Sequence, residues 1–169
     1  TDVRREVRKH MENRLGIRVR TGQPLSEIQA DDKEVRGLAG EERLRADMLL
    51  VAVGRRPVSA ELNLQKAGFR PSKSGLIETD EYGQTARSSV YAIGDVTGGI
   101  QLAHAATSQG ITAVENALRK ARRPMETLIP SCIFTSPEIG SVGLTEEQAK
   151  ERNLTVKTGK FPFASLGKA

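Results

Sequence analysis

A carboxylate that directly follows a predicted strand is the most chemically suggestive feature of this sequence. Residues 90–94 (VYAIG) form a short apolar run, Asp95 follows it, and Gly98 and Gly99 open the next loop. In open α/β sheets, ligands bind outside the carboxyl ends of the strands. An aspartate held there can accept hydrogen bonds from the hydroxyl groups of a sugar-like ligand, while the glycines let the ligand approach the backbone. Taken alone, the pattern fits equally well an aspartate that closes a turn before a helix.

The segment that begins six residues after Asp95 predicts the start of a long helix. It consists of Gln101, Leu102, Ala103 and His104. The first turn of a helix offers unpaired N–H groups and about half a positive charge. These groups could contact the same ligand as Asp95. For the ring of His104 itself, a packing or capping role is favoured over direct contact with a ligand.

Hydrophobic periodicity predicts an α/β fold with an α+β tail. The predicted helices span residues 3–15, 61–67, 101–120 and 146–152, and the predicted strands span 17–20, 47–53, 90–94, 132–135, 141–144 and 154–161. Residues 25–45 predict a small antiparallel meander. The strands at 47–53 and 90–94 are continuously apolar, as expected for strands that are buried on both faces.

Local signals refine the helices. Gly16 is placed to end the first helix, and Thr145 with Gln148 forms a capping-box pattern at the start of the last. The long helix carries one apolar stripe, which predicts its buried face. The stripe consists of Leu102, Ala106, Ile111, Val114 and Leu118.

The net charge of +5 is concentrated at the start of the chain. Residues 1–20 carry a local charge of +4, and a second basic cluster consists of Arg119, Lys120, Arg122 and Arg123. Both clusters favour solvated helix faces, because aromatic residues make up only 4% of the chain and stacking platforms for single strands are therefore scarce. A basic interaction or nucleic-acid-binding module remains the alternative.

The remaining composition is that of an ordinary globular protein. No run approaches the roughly 20 apolar residues of a membrane span. Cys132 is the single cysteine, so an internal disulfide is impossible, and its apolar surroundings predict a buried, inert thiol. A cytoplasmic location is expected.

Four motifs together resemble one protein family. They are residues 47–57 (DMLLVAVGRRP), 90–95 (VYAIGD), 102–104 (LAH) and 129–144 (IPSCIFTSPEIGSVGL). In this order and spacing they resemble the pyridine nucleotide–disulfide oxidoreductases, over essentially the whole chain. Within that family, residues 136–150 (SPEIGSVGLTEEQAK) and 160–163 (KFPF) are most similar to the dihydrolipoamide dehydrogenases.

The resemblance implies a role for each candidate residue. Asp95 would bind the ribityl hydroxyls of FAD, and the segment from Gln101 through Leu102 and Ala103 to His104 would line the flavin, mostly through backbone groups. Gly54 would lie against NAD. The N–H groups at the helix start would stabilise the negative charge of the reduced flavin.

The resemblance also implies a partial two-dinucleotide-binding-domain flavoprotein. Residues 1–54 would be the latter part of the NAD-binding domain, 55–128 the second part of the FAD-binding domain, and 129–169 the start of the α+β interface domain that builds a homodimer. The full enzyme would pass electrons from dihydrolipoyl thiols through a disulfide and the flavin to NAD. Its partners would be the lipoyl-bearing subunits of 2-oxoacid dehydrogenase complexes.

Several family features are absent from the sequence. No GxGxxG fingerprint, no cysteine pair and no terminal His/Glu dyad occurs, so we predict neither a catalytic residue nor a metal site. The chain is expected to be an internal fragment that is inactive alone and that folds poorly or associates through exposed surfaces. A relationship to mercuric or glutathione reductase remains the closest alternative.

Overall fold

The computed structural model describes residues 2–118 and 122–167, without the side chain of Asp2. These residues form two compact units. The first contains residues up to Ile77 together with Phe134–Ile139, and the second contains Glu78–Ile133 together with residues from Gly140 onward.

The first unit begins with helix α1, Asp2–Asn13. The predicted helix is confirmed, and it ends where the Leu15 N–H bonds the His10 carbonyl at 3.3 Å and Gly16 adopts a φ of +67°. The strand predicted at residues 17–20 is wrong, because these residues form no ladder. Arg18 and Arg20 instead form ion pairs with Glu42.

The predicted meander is a three-stranded antiparallel sheet in the order β1-β2-β3. Its strands are β1 (Leu25–Ala30), β2 (Val35–Ala39) and β3 (Glu42–Ala46). In the β1–β2 turn, the Asp31 carboxylate accepts the N–H groups of Lys33 at 2.9 Å and Glu34 at 3.0 Å, and these bonds hold the pKa of Asp31 below its usual range. The buried Glu34 carboxylate forms ion pairs with Arg36 on β2 and Arg45 on β3.

The buried strand predicted at residues 47–53 is wrong. The segment forms no strand, and the side chains of Met48, Leu50 and Val53 are 87%, 88% and 93% exposed. A strand buried on both faces needs hydrogen-bonding neighbours and a layer above and below it. None of the described strands pairs with this segment, so its apolar side chains remain uncovered.

The loop-rich segment that follows contains short 3₁₀ turns in place of the predicted helix at 61–67. They span Ala60–Leu62 and Leu64–Ala67. Asn63 lies between them in the left-handed conformation with a φ of +51°, which interrupts any continuous helix.

The second unit contains helix α2 (Ala103–Leu118), strand β4 (Ser131–Ile133) and helix α3 (Glu146–Glu151). Strand β5 (Ile139–Ser141) begins at the last residue assigned to the first unit and continues into the second. The strands predicted at 132–135 and 141–144 are therefore shorter and lie one or two residues earlier. No strand forms at 154–161, where Leu154 bonds back to the Ala149 carbonyl. The capping box of α3 is confirmed, with reciprocal bonds of 3.2 and 2.9 Å between Thr145 and Gln148.

The segment at 90–94, predicted as a buried strand, forms only an isolated antiparallel bridge between Tyr91 and Gln84. Further backbone bonds join Ala92 to Gly83 and Thr85 to Val90. The segment is therefore extended and paired on one side, but the described residues provide no second neighbour that would complete a strand.

Helix α2 buries a different face from the one predicted. Its buried residues are Ala105, Thr112, Ala113 and Asn116. Of the predicted stripe, Leu102 and Ala106 are half-buried, whereas Ile111, Val114 and Leu118 are exposed. Small residues allow the close approach on the buried side, and the Asn116 carboxamide bonds the main chain of Tyr82 and Arg123 there.

Few apolar side chains are buried among the described residues. The buried hydrophobic residues are Ala39, Ile77, Ala92, Ala105, Ala113 and Ala149. Cys132, predicted to be buried, is exposed, because β4 belongs to a two-stranded sheet that leaves this position uncovered. Among the helices that the structure describes, none has the length and hydrophobicity needed to cross a bilayer.

Candidate functional site

Asp95 lies in a 3₁₀ turn, Gly94–Thr97, immediately after the extended segment that carries Tyr91. Its side chain is on the exposed side of the turn, whereas Gly94 is buried. Gly94 has a φ of +71°, and a Cβ added to it would lie 3.1 Å from the Ala106 Cβ. The turn therefore requires glycine both for its backbone conformation and for its close contact with α2.

Both polar backbone groups of Gly94 are bound by side chains. Its N–H donates to the Gln109 Oε1 at 2.7 Å, and its carbonyl accepts from the Thr97 hydroxyl at 2.9 Å. The Gly98 N–H closes the turn by donating to the Asp95 carbonyl at 3.2 Å. Sequence reasoning missed Gln109 and Thr97. Gln109 lies three residues after Ala106 on the helix, so helical spacing is the signal that could have placed it on the face that meets the turn.

The start of α2 supplies backbone donors close to this turn, which packs against the helix. The helix begins at Ala103, two residues later than predicted, so Gln101 and Leu102 belong to the loop before it. Within the described part of the chain, no acceptor takes the N–H groups of Ala103, His104 or Ala105. These donors carry the positive end of the helix dipole.

The ring of His104 makes a structural contact. Its Nε2 lies 2.7 Å from the Pro130 carbonyl oxygen. Because a carbonyl can only accept, Nε2 must carry a hydrogen and the neutral ring is the ε tautomer. This bond attaches the first turn of α2 to the segment before β4. The backbone N–H of His104 remains the group that can meet a ligand.

A cavity of about 450 Å³ borders the loop before α2. Its lining includes Thr97, Gly98, Gly99 and Gln109, but neither Asp95 nor His104. The cavity therefore does not contain the Asp95 carboxylate or the His104 ring.

Gly54 belongs to the other compact unit. It has a φ of +125°, and a Cβ added there would meet no atom within 4 Å. The residue thus leaves room for a ligand to approach the backbone, and its contact with NAD stays a prediction.

The basic residues at the end of α2 are ion-paired. Arg122 lies 2.8 Å from the Asp80 carboxylate and 4.1 Å above the Tyr82 ring, and Arg123 lies 3.3 Å from Glu115. Burial by itself would raise the pKa of Asp80. The N–H groups of Gln84 and Tyr82 and the Arg122 guanidinium outweigh that effect, so the pKa of Asp80 lies below its usual range. Arg119 and Lys120 lie outside the described residues.

These features define a class of protein. The site combines an acceptor, the carboxylate after an extended segment, with donors, the N–H groups of a helix start. A glycine-containing turn lies between them. This combination suits a ligand that combines hydroxyl groups with an electron-rich ring or a phosphate, and so marks a nucleotide-binding α/β protein.

Family models identify the class more closely. Residues 1–110 match the model for pyridine nucleotide-disulphide oxidoreductase, and residues 129–169 match the model for the dimerisation domain of the same enzymes. The chain belongs to the pyridine nucleotide-disulphide oxidoreductase family. The predicted family and the predicted α/β fold class are confirmed.

Individual relatives agree with this family. The chain is 40% identical over 174 residues to a dihydrolipoyl dehydrogenase of Bacillus subtilis, covering 97% of this chain and 36% of that protein. It is 38% identical over 161 residues to a mercuric reductase of Staphylococcus aureus, covering 91% of this chain and 29% of that one. The chain thus spans about a third of the length of these curated relatives.

Solved structures show the same fold. The HOCl-induced flavoprotein disulfide reductase RclA from Escherichia coli superposes with a TM-score of 0.87 at 25% identity, over 100% of this chain and 39% of that one. LpdA from Mycobacterium tuberculosis superposes with a TM-score of 0.77 over 87% of this chain and 32% of that one.

Proposed function

We propose that this chain forms part of an FAD-dependent disulfide oxidoreductase that oxidises protein-bound dihydrolipoamide and passes the electrons to NAD. The observation that carries the proposal is that the turn carrying Asp95 packs against α2, the helix whose first N–H groups have no acceptor within the described residues. The 40% identity to a dihydrolipoyl dehydrogenase supports the substrate.

The residues fit FAD on the chemistry of the donor set. The Asp95 carboxylate would accept hydrogen bonds from the ribityl hydroxyls. Such bonds are charge-assisted, because the acceptor is ionised, and are therefore strong. FAD, when bound, supplies the two-electron redox chemistry. The N–H groups of Ala103 and His104 would lie against the ring and favour negative charge on it, with Gln101 and Leu102 lining the approach.

The described residues bind and orient, and they include no catalytic residue. Disulfide exchange needs two thiols, and the chain has only Cys132. The cysteine pair and the acid–base residue would therefore come from elsewhere in the enzyme. In this proposal, Gly54 leaves room for NAD in the first unit.

We also propose the domain assignment given by the sequence. Residues 1–54 would complete an NAD-binding domain, 55–128 an FAD-binding domain, and 129–169 would begin the interface domain of a homodimer. The match of residues 129–169 to a dimerisation-domain model supports the homodimer. Lipoyl-bearing subunits of a 2-oxoacid dehydrogenase complex would be the partners, in the cytoplasm.

No observation favours the nucleic-acid alternative. Arg8 forms an ion pair with Glu12 at 3.0 Å, and Arg122 and Arg123 form the pairs described above. Several of the cations that suggested a polyanion contact, among them Arg8, Arg122 and Arg123, thus have acidic partners within the described residues.

The test is FAD reconstitution of the protein expressed from its whole natural reading frame. Asp95→Ala should weaken FAD binding at least roughly tenfold, because charge-assisted bonds to hydroxyl groups are lost. Asp95→Asn should lose less, since it keeps one acceptor. Asp32→Ala, at an exposed position in the β1–β2 turn, is the control. A wild-type protein that stays colourless with added FAD would disprove the proposal.

The substrate is tested separately on the flavin-loaded protein. We expect NAD-dependent oxidation of dihydrolipoamide to exceed reduction of Hg(II), the reaction suggested by the name of the Staphylococcus aureus relative. The reverse order of rates would keep the flavoenzyme assignment and exclude the lipoyl substrate.

A further inference from the structure

We propose that Gln109 is a positioning residue for the flavin site, because its side chain fixes the Asp95 turn against the helix whose start lines the flavin. The inference rests on the proposed function. It adds a residue on the second turn of α2 that is not among the predicted cofactor contacts.

The first observation is the bond itself. The Gly94 N–H donates to the Gln109 Oε1 at 2.7 Å, across 15 positions of sequence. Gly94 is buried, and Gln109 is half-buried. A buried N–H without an acceptor is costly, and within the described residues Gln109 is the acceptor that this group has.

The second observation is that the bond lies within a close contact between the turn and α2. A Cβ added to Gly94 would lie 3.1 Å from the Ala106 Cβ, and one added to Gly110 would lie 3.4 Å from the Ile93 Cδ1. Ala106, Gln109 and Gly110 therefore lie on one face of α2. Ala106 lies against the Gly94 backbone, Gly110 lies against the Ile93 side chain, and Gln109 binds the Gly94 N–H.

The third observation is that the same helix supplies the backbone donors of the site. The unbonded N–H groups of Ala103 and His104 lie one to two turns before Gln109 on α2. Asp95 directly follows the glycine that Gln109 holds. A single side chain thus sets the position of the carboxylate relative to the helix start, and FAD must contact both at once.

A rival explanation is that Gln109 merely fills space under the turn. Two substitutions separate these roles. Gln109→Met keeps the unbranched shape and removes the acceptor, whereas Gln109→Glu keeps an acceptor oxygen at the same position. Ser108→Ala, at the next position of the same helix and half-buried like Gln109, controls for a general effect on α2.

The experiment measures the dissociation constant for FAD by reconstituting the apoprotein made from the whole natural reading frame. Gln109→Met should weaken FAD binding roughly tenfold, Gln109→Glu should stay within about threefold of wild type, and Ser108→Ala should match wild type. In an Asp95→Ala background, Gln109→Met should have little further effect, because the group that it positions is gone.

Each other outcome overturns the inference. Wild-type affinity in Gln109→Met, or equal losses in the Met and Glu variants, would show that the hydrogen bond does not position the turn. Full additivity with Asp95→Ala would show that Gln109 acts on stability alone. A wild-type protein that binds no FAD would instead disprove the proposed function, and the inference with it.

Discussion

Gly94 contacts helix α2 and directly precedes Asp95, the carboxylate of the candidate ligand site. Its left-handed conformation turns the chain, and its missing side chain lets the turn approach Ala106. Its N–H and carbonyl are held by Gln109 and Thr97. The carboxylate of Asp95 is therefore presented by a turn that Thr97 closes internally and that Gln109 holds against α2.

Two glycines with the same backbone conformation allow this role to be tested. Gly94 and Gly22 both have a φ of +71°, but a Cβ at Gly22 would meet no atom within 4 Å. Alanine should cost about 1 kcal/mol at either position through backbone strain. Gly94→Ala should cost about 1 kcal/mol more, because α2 or the turn must move, and it should also weaken FAD binding.

Denaturant unfolding and FAD titration of both variants check this prediction. Gly22→Ala should keep the FAD affinity of wild type while losing part of its stability. Equal effects of the two substitutions on FAD binding would mean that the contact between Gly94 and Ala106 does not matter for the site.

A residue of this site can be predicted from the sequence when its role shows in the residues next to it, and not when the role depends on a distant partner. Asp95 stands out because an acidic residue after an apolar run and before glycines is a local pattern. Gln109 does not, since its bond partner lies 15 residues away and only the packed helix brings them together. The apolar neighbours of Cys132 predict a buried thiol, yet the residue is exposed, because burial depends on what covers the strand.

Helix α3 shows the opposite case at the scale of an element, because its start is encoded by two residues. Thr145 accepts the Gln148 N–H, and the Gln148 side chain accepts the Thr145 N–H. Such a box compensates donors that a short helix would otherwise leave to water. The sequence therefore predicts this helix start correctly without any tertiary information.

Removing the cap should shorten or unfold α3. Thr145→Ala is expected to destabilise the protein by about 1 kcal/mol, and Thr145→Ser, which keeps the acceptor hydroxyl, by much less. Thr155→Ala, at an exposed position outside the helices and strands, is the matched control. Urea unfolding curves measure the three differences, and equal stability of the Ala and Ser variants would contradict a role for the cap.

Helix α2 and the segment at 47–53 are less predictable, because their patterns depend on distant neighbours. The spacing of Ile111, Val114 and Leu118 identifies an apolar face of α2. The face that is buried in the described chain is the opposite one, which consists of small and polar residues. The apolar run at 47–53 likewise has no partner strand here. Hydrophobic periodicity indicates that one surface of an element is apolar, but the rest of the fold determines what packs on that surface.

At the scale of the whole molecule, the surface is large for the mass. The accessible area is 14,380 Å² for 18.4 kDa. Two separate compact domains of half this mass would together expose about 9,900 Å². The buried apolar residues among those described are five alanines and Ile77, while Met48, Leu50 and Leu118 are more than four-fifths exposed. Since the chain spans 36% of the Bacillus subtilis relative, we propose that other segments of such an enzyme cover these side chains.

This exposure predicts the behaviour of a polypeptide limited to the present sequence. It should associate as its concentration rises and should bind a hydrophobic dye, because contiguous apolar surface drives association at roughly 25 cal/mol per Å² buried. Sedimentation velocity over a hundredfold range of concentration, with dye fluorescence in parallel, measures both properties. The flavin-loaded protein from the whole reading frame, as the comparison, should bind little dye and sediment as one species. A dye-free monomer with a cooperative melt would show instead that the two units bury their apolar residues without further segments.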